Sequence, residues 1–321
     1  MGFEKACEEL GVVAKCVFSS DIDKYARTSY EENFGEPPHG DITKIDEKEV
    51  PDHDVLFAGF PCQAFSIIGL KGGFEDTRGA LFFDIARILK EKRPRAFILE
   101  NVKQLVGHDR GRTLEIILRT LRDLGYFVQY KVLNALDFGL PQKRERVIIV
   151  GHQKNIGFEF PTPQPDYKPL ADLLEKDEEL DPRHFASDYI QNKRKSVHRP
   201  KYRPAVWHEN KSGNISSYPY SCALRAGASY NYLLVNGERR LSPREMFRLQ
   251  GFPDSYKIVV KDSQARKQAG NSVPVNIIKA VSLQLLPFLT GTEKAPPTAL
   301  NGRATKGADC LTSEKNELKH K

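Results

Sequence analysis

The chain has 321 residues, 40% of them hydrophobic, with a net charge of +7 and a pI near 9.0: enough for one large domain, a smaller one and an ordinary core. No apolar stretch approaches the roughly 18 residues of a membrane span, and the N-terminus has no basic-then-apolar signal pattern, so a cytoplasmic protein with no membrane partner is expected. The five cysteines (Cys7, Cys16, Cys62, Cys222, Cys310) are scattered and form no C-x-x-C pair, which argues against a disulfide framework or a zinc site, while the positive charge favours a polyanionic partner.

From residue 3 to about 150, short apolar runs alternate with amphipathic ones. The pattern predicts helix 3–10, strand 14–19, helix 22–33, strand 54–60, helix 81–92, strand 96–100, helix 111–124 and strands near 128–133 and 146–151. Such alternation predicts a parallel sheet with helices on both faces. Gly11 and Gly125 stand where helices stop. Residues 155–240 are rich in Pro, charge and turn formers, which predicts a second, smaller, irregular domain. Within it, 193–203 carries six Lys or Arg with Tyr202, and Trp207 follows. That stretch suits phosphate contact with stacking, or equally a solvated loop. Helix resumes at Ser242-Pro243-Arg244-Glu245, an N-cap, a first-turn Pro and a third-position Glu, and 274–289 reads as a closing helix. The expected division is 1–154, 155–240 and 241–290, with 291–321 a disordered tail.

Four stretches carry candidate chemistry. The run Asp54 to Gly69 (DVLFAGFPCQAFSIIG) begins as a strand buried on both faces and breaks at Pro61, with Cys62 just past the break. Ligands gather at the carboxyl ends of strands in open α/β sheets, although a lone Cys is often a small buried hydrophobe. The next apolar strand ends in Glu100-Asn101-Val102, whose carboxylate at a buried strand end would have a raised pKa, or would serve as a cap or ion pair. In Pro141-Gln142-Lys143-Arg144-Glu145-Arg146-Val147 the two arginines alternate and can point to one face. Gly270-Asn271-Ser272-Val273-Pro274 is a turn beside a helix, suited to a small polar ligand.

Together, Phe60-Pro61-Cys62-Gln63 with Phe65-Ser66, Glu100-Asn101-Val102, Gln142-Lys143-Arg144-Glu145-Arg146, Arg240 to Glu245 with Gln250-Gly251-Phe252-Pro253, and Gly270-Asn271-Ser272-Val273 resemble the ordered motifs of DNA (cytosine-5)-methyltransferases of prokaryotic restriction-modification type. The resemblance spans about residues 2–290. It implies an α/β fold with a doubly wound, mostly parallel sheet, as in S-adenosylmethionine-dependent methyltransferases, and a smaller target-recognition domain. It further implies methyl transfer from S-adenosylmethionine to carbon 5 of a flipped-out cytosine in double-stranded DNA. In that scheme Cys62 adds to carbon 6, Glu100 holds the base at ring nitrogen 3, Arg146 holds its exocyclic oxygen, and Arg144 places the loop and a backbone phosphate. The cofactor would be held by Asp21 at the ribose, Ile22 and Asp41 at the adenine, with Pro61, Leu81, Asn271 and Val273. Phe60, Gln63, Ser66, Asn101, Val102 and Arg225 would meet the DNA substrate. A monomer is expected, acting beside a cognate restriction endonuclease without binding it.

The chain departs from the family in two places. It starts at Met1-Gly2-Phe3, where the family's glycine-rich loop finishes, so the strand preceding that loop, which lies between the strands ending near Ser19 and Phe60, is absent. An upstream start, or a truncated and inactive remnant that still binds DNA, is therefore the alternative expectation. The family's Thr-Leu pair appears as Cys222-Ala223-Leu224-Arg225, without the threonine. A transfer RNA methylating branch of the family carries a Cys-Phe-Thr element that this chain lacks, so DNA is the expected substrate.

Overall fold

The computed structural model describes residues 1–61, 81–164 and 166–291, and its centre is a sheet whose inner strands are buried on both faces. Strand β2 (Ala96–Val102) lies between β1 (Val55–Gly59) and β5 (Glu145–His152), and β3 (Phe127–Asn134) follows, in the order β1-β2-β5-β3. Phe97, Leu99, Val147 and Ile149 point to one face, against helices α3 (Leu81–Lys92) and α4 (Arg112–Asp123). Ile98, Ile148 and Val150 point to the other, against Ile277, Val281 and Leu285 of α8 (Val275–Thr290). The period-2 alternation of strands covered on both sides explains why both runs are almost wholly apolar. Gly151 is set by packing: a Cβ there would lie 2.1 Å from the Phe97 ring.

Helix α4 shows why the flanking helices form. Its buried Leu114, Ile117, Leu118 and Leu121 recur at i, i+3, i+4 and i+7. At about 1.5–3 kcal/mol for each buried side chain, that stripe outweighs the few tenths lost at its β-branched residues. On the opposite face, helix α1 (Gly2–Glu9) packs on α8, and Phe3 meets Phe57 of β1 with ring centroids 4.9 Å apart.

The fold is α/β, as expected, and two details within it need correction. The sheet is mixed: β1 and β2 are parallel, but β5 runs antiparallel to both β2 and β3. Only residues 135–144 join β3 to β5, too short for the crossover of a dozen or more residues that parallel neighbours need. The strand expected at 14–19 does not form. Residues 12–19 join no ladder, and Val13 is 94% exposed. A strand exists by pairing, and among the described residues β1 ladders with β2 alone. The segment is tied instead to the 38–40 turn through Asp21 N–H to His39 O at 3.0 Å and His39 N–H to Ser19 O at 2.8 Å.

The second part of the molecule holds a three-stranded antiparallel sheet, with β6 (Val206–Glu209) between β7 (Ile215–Tyr218) and β9 (Leu233–Val235), and helix α5 (Asp188–Val197). Its hydrophobic cluster also takes in Met246, Phe247 and Leu249 of α6 (Pro243–Leu249) and Ala265 and Ala269 of α7 (Asp262–Asn271). Residues 241–271 thus pack with β6 and β9, and α8 alone returns to the large sheet. Ser242 caps α6 in a capping box with Glu245, as the sequence predicts, and Arg239 grips the same carboxylate at 2.9 Å through two nitrogens. The stretch Asp262–Thr290 is long and apolar enough for a membrane span by length and composition, contrary to the expectation that no such stretch exists. It is divided at Ser272–Pro274, however, and the inward residues of α8 are fully buried on the sheet.

Candidate active site and cofactor cleft

The carboxyl ends of the parallel pair β1 and β2 define one edge of the sheet, and the antiparallel course of β5 brings its beginning to that same edge. Val102 is opposite Arg146 in the ladder, and Gly59 is opposite Glu100. The motifs around Phe60, Glu100 and Arg144 to Arg146 therefore converge. Arg146 Nε donates to Glu100 Oε1 at 2.7 Å, with the side chains only 12% and 15% exposed. Burial pushes the Glu100 carboxyl above its ordinary range, and the charges of Arg146 and Arg144 offset this only in part. Burial likewise lowers the Arg146 guanidinium. Such a carboxyl can be held in either protonation state by small changes around it.

Asn101 has a different place from the one expected. It is 2% exposed, donates through its side-chain amide to Phe60 O at 2.8 Å and accepts the Val102 N–H at 2.8 Å. Both ends of the amide are used, so it positions the Phe60-Pro61 turn and is closed to substrate. Phe60 is itself buried at 6% and packs on Phe82, with ring centroids 5.6 Å apart. Pro61 is exposed at the end of the described segment and Val102 is half-buried at the edge. Cys62, Gln63 and Ser66 lie outside the described residues.

Arg144 is also displaced from its expected role. Its guanidinium is 1% exposed and donates to three backbone carbonyls, Leu224, Gly270 and Ser272, each at 2.8 Å. Burial, and then the neighbouring Arg146, lower its guanidinium from its ordinary value to about 9. Its burial, with Nη1 and Nη2 turned to the chain, closes it to a phosphate from solvent.

Of the expected cofactor residues, Asp21 and Asn271 line one cleft, while Ile22, Asp41, Pro61, Leu81 and Val273 are not among its lining residues. Asp21, with Ser19, Ser20 and Asp23, faces Lys267, Gln268, Asn271 and Ser272 of α7 and the turn after it across a cleft of about 310 Å³. Helix α2 (Lys24–Phe34) holds one wall: Lys267 pairs with Asp23 at 2.6 Å and Ser29 Oγ donates to Gln268 Oε1 at 3.0 Å. Asp21 Oδ1 accepts the Asp23 N–H at 2.8 Å, which leaves its second oxygen for a ligand hydroxyl. Ile22 is 73% exposed beside it. Asp41 caps the short helix Ile42–Lys44, and the Thr43 hydroxyl and N–H hold its carboxyl below the usual range. Ser20 Oγ donates to Gly40 O at 2.6 Å, which keeps the Asp41 turn next to Asp21. Leu81 and Val273 are half-buried, Leu81 against the core under α3.

Phe247, Phe252 and Tyr256 form an aromatic wall of this cleft, with centroids 4.8–5.1 Å apart. Sequence reasoning did not single them out for this role. Their only signal was the Gln250-Gly251-Phe252-Pro253 motif after α6. The residues present suit a nucleoside with an amino acid tail: an acidic group for ribose hydroxyls, an apolar wall for a planar base, and polar Asn271 and Ser272 opposite.

In the smaller domain, Arg225 is exposed, with its guanidinium 4.8 Å over the ring of Tyr232 and its N–H donated to the Tyr232 hydroxyl at 3.0 Å. The basic run divides. Arg194 is 2% exposed and paired with Glu209, and Lys195 pairs with Glu238 at 2.7 Å. Trp207 is 3% exposed in the core. Arg194 and Trp207 serve the fold, Lys195 is engaged in a partly exposed ion pair, and Lys193, Arg199, Lys201, Tyr202 and Arg203 remain exposed.

The family profile described as "C-5 cytosine-specific DNA methylase" matches residues 1–286. The chain is 59% identical over 282 residues to the Type II methyltransferase M.NgoBI of Neisseria gonorrhoeae, covering 87% of each. It is 56% identical over 269 residues to M.HaeII of Haemophilus aegyptius, covering 84% of this chain and 85% of that one. Among solved structures, the S. pombe Dnmt2 methyltransferase superposes with a TM-score of 0.66 at 22% identity, over 89% of this chain and 95% of that one.

Proposed function

The chain belongs to the C-5 cytosine-specific DNA methylases, a family of enzymes that use S-adenosylmethionine, and we propose that it methylates carbon 5 of a flipped-out cytosine in duplex DNA through a covalent adduct on Cys62. The observation that carries this reading is the Glu100–Arg146 pair at the carboxyl edge of the sheet, beside the Phe60-Pro61 turn that leads to Cys62. Carbon 5 of cytosine is a poor nucleophile. The Cys62 sulfur forms a bond to carbon 6, and electron density moves to carbon 5. Glu100, neutral when protonated, donates to ring nitrogen 3 and accepts from the amino group as charge develops there. Arg146 donates to the exocyclic oxygen. After carbon 5 has gained the methyl group and lost its proton to a base, the carbon–sulfur bond breaks and the thiolate is restored. The target is unreachable in the stack, so it is flipped out, at a cost of a few kcal/mol.

Asp21, Asp41, Asn271 and the aromatic wall would hold the cofactor, which supplies an electrophilic methyl group on a sulfonium. Asp21→Ala removes a charged acceptor for the ribose, worth about 1.5–3 kcal/mol. Affinity for S-adenosylmethionine should fall roughly 10- to 100-fold in a calorimetric titration; a change under threefold would place the ribose elsewhere. Bisulfite sequencing of DNA from a host expressing the chain tests the function itself. Unmethylated DNA, or methyl groups found in RNA alone, would overturn it.

Residues 155–240 set the sequence preference in this reading, and the exposed basic residues neutralise backbone phosphates. Replacing Arg199, Lys201 and Arg203 together by Ala should lower the salt dependence of binding by roughly 0.9 units of slope per lost contact, with the methylated site unchanged. A shifted site preference would show instead that they read bases. Arg194→Ala should behave differently. It breaks a largely buried pair and lowers the melting temperature, at a cost of about 2 kcal/mol, visible by calorimetry without DNA. In this reading the enzyme acts as a cytoplasmic monomer, and the names of its Type II relatives suggest a separate restriction endonuclease beside it.

A further inference from the structure

Gln142 and Arg144 stand at the catalytic edge of the sheet, yet at 0% and 1% exposure neither is open to a substrate. Strand β4 (Gln142–Lys143) pairs in parallel with β8 (Ser221–Cys222), which carries the chain up to Leu224. There the two side chains close on one residue. Gln142 Oε1 accepts the Leu224 N–H at 3.1 Å, and Arg144 Nη1 donates to Leu224 O at 2.8 Å. The backbone of Leu224 is therefore held by side chains of the large domain, and the next residue is the exposed Arg225.

The same guanidinium reaches the cofactor cleft. Arg144 Nη2 donates to Gly270 O and Ser272 O, the carbonyls on either side of Asn271, which lines that cleft. The two ends also touch directly. A Cβ on Gly270 would lie 2.4 Å from Ala226 N and 2.8 Å from the Arg225 carbonyl carbon, so glycine is required for the backbones to approach this closely. Gln142 Nε2 completes the junction by donating to Leu249 O at 2.8 Å, at the end of α6.

We propose that Gln142 and Arg144 are positioning residues that join the base-reading segment at Leu224–Ala226 to the cofactor turn at Gly270–Ser272, so that DNA and cofactor tighten each other's binding through this junction. The proposal rests on the functional reading above. A planar fork can serve carbonyls on two sides at once, whereas an ammonium acts as a compact point charge. Any ordering of Arg225 by DNA is thus carried to Asn271, and by linkage the effect is reciprocal.

The test uses the whole chain and a short duplex, cut from plasmid DNA, that the unaltered enzyme methylates. The ratio of S-adenosylhomocysteine dissociation constants without and with this duplex gives the coupling factor, of the order of 5–150 in coupled proteins. In Arg144→Lys that factor should fall about fivefold or more towards one, with circular dichroism confirming the fold. A factor within about twofold of the parent's would overturn the proposal. In case the variant does not fold, amide exchange in the unaltered protein gives an independent reading. S-adenosylhomocysteine without DNA should slow exchange at Leu224 and Arg225 but leave β7 unchanged, and unaltered exchange at those two amides would equally overturn it. If the unaltered chain methylates no duplex, the functional reading fails, and the exchange experiment still judges the junction.

Discussion

Cys62→Ser is expected to lower methyl transfer by at least roughly 10³-fold while leaving DNA affinity within about twofold. A thiol of pKa about 8.5 is a few per cent thiolate at neutral pH, and nearby cations or a helix N-terminus raise that fraction. A hydroxyl occupies nearly the same volume, but it ionises far outside the working range and cannot add to carbon 6. In the proposed mechanism Arg146, whose side chain is largely buried at this edge, would serve both the base and an anionic sulfur. A duplex carrying 5-fluorocytosine at the target should give an adduct that survives denaturation, since fluorine leaves no proton at carbon 5 to be removed and the carbon–sulfur bond persists. Residual turnover of the serine variant within tenfold of the parent would count against the covalent step, as would an active enzyme that leaves no adduct.

Periodicity made the sheet core legible. The runs at 96–99 and 147–150 are apolar on both alternating faces, and the stripe of α4 reads as a helix on a core. What local pattern could not show was direction. The segment between β3 and β5 holds no crossover helix, and this fact of length, more than any propensity, turns β5 around. The reversal makes the site. Had β5 run parallel to β2, Arg146 would stand at the far edge of the sheet from Glu100. The strand expected at 14–19 failed for the opposite reason: Val17 and Phe18 suit a strand, but among the described residues no neighbour supplies a ladder.

At the site, residue type was legible and use was not. Glu100 and Arg146 form the pair that a carboxylate and an arginine at one buried edge suggest. Asn101 and Arg144 look equally fit for a ligand in sequence, but both are consumed by backbone groups distant along the chain, Phe60 in one case and Leu224, Gly270 and Ser272 in the other. The same holds for Arg194, whose partner Glu209 lies beyond the basic run that suggested a phosphate contact. Whether a polar side chain faces solvent or a carbonyl is decided by which segments pack beside it, and no spacing rule reports that.

Glu100→Gln separates holding the base from moving charge. Glutamine keeps the shape, donates to ring nitrogen 3 and accepts from the amino group, so the Michaelis constant for DNA should change little. It cannot yield a proton as the thiolate adds, and kcat should fall roughly 10²- to 10³-fold, the range of a general acid. The pH dependence carries a second signature. Burial raises the Glu100 carboxyl above its ordinary value in the folded chain. The neutral form is therefore present below that raised value and is lost as pH climbs through it, giving kcat/KM an alkaline limb. Stability follows the same sign: the favourable burial of the neutral carboxyl is complete below the unfolded value, about 4.3, and declines as pH rises through the folded one. The glutamine variant should lack both the limb and that slope. A kcat within tenfold of the parent, with the alkaline limb retained, would assign Glu100 to holding the base alone and leave the proton to another group.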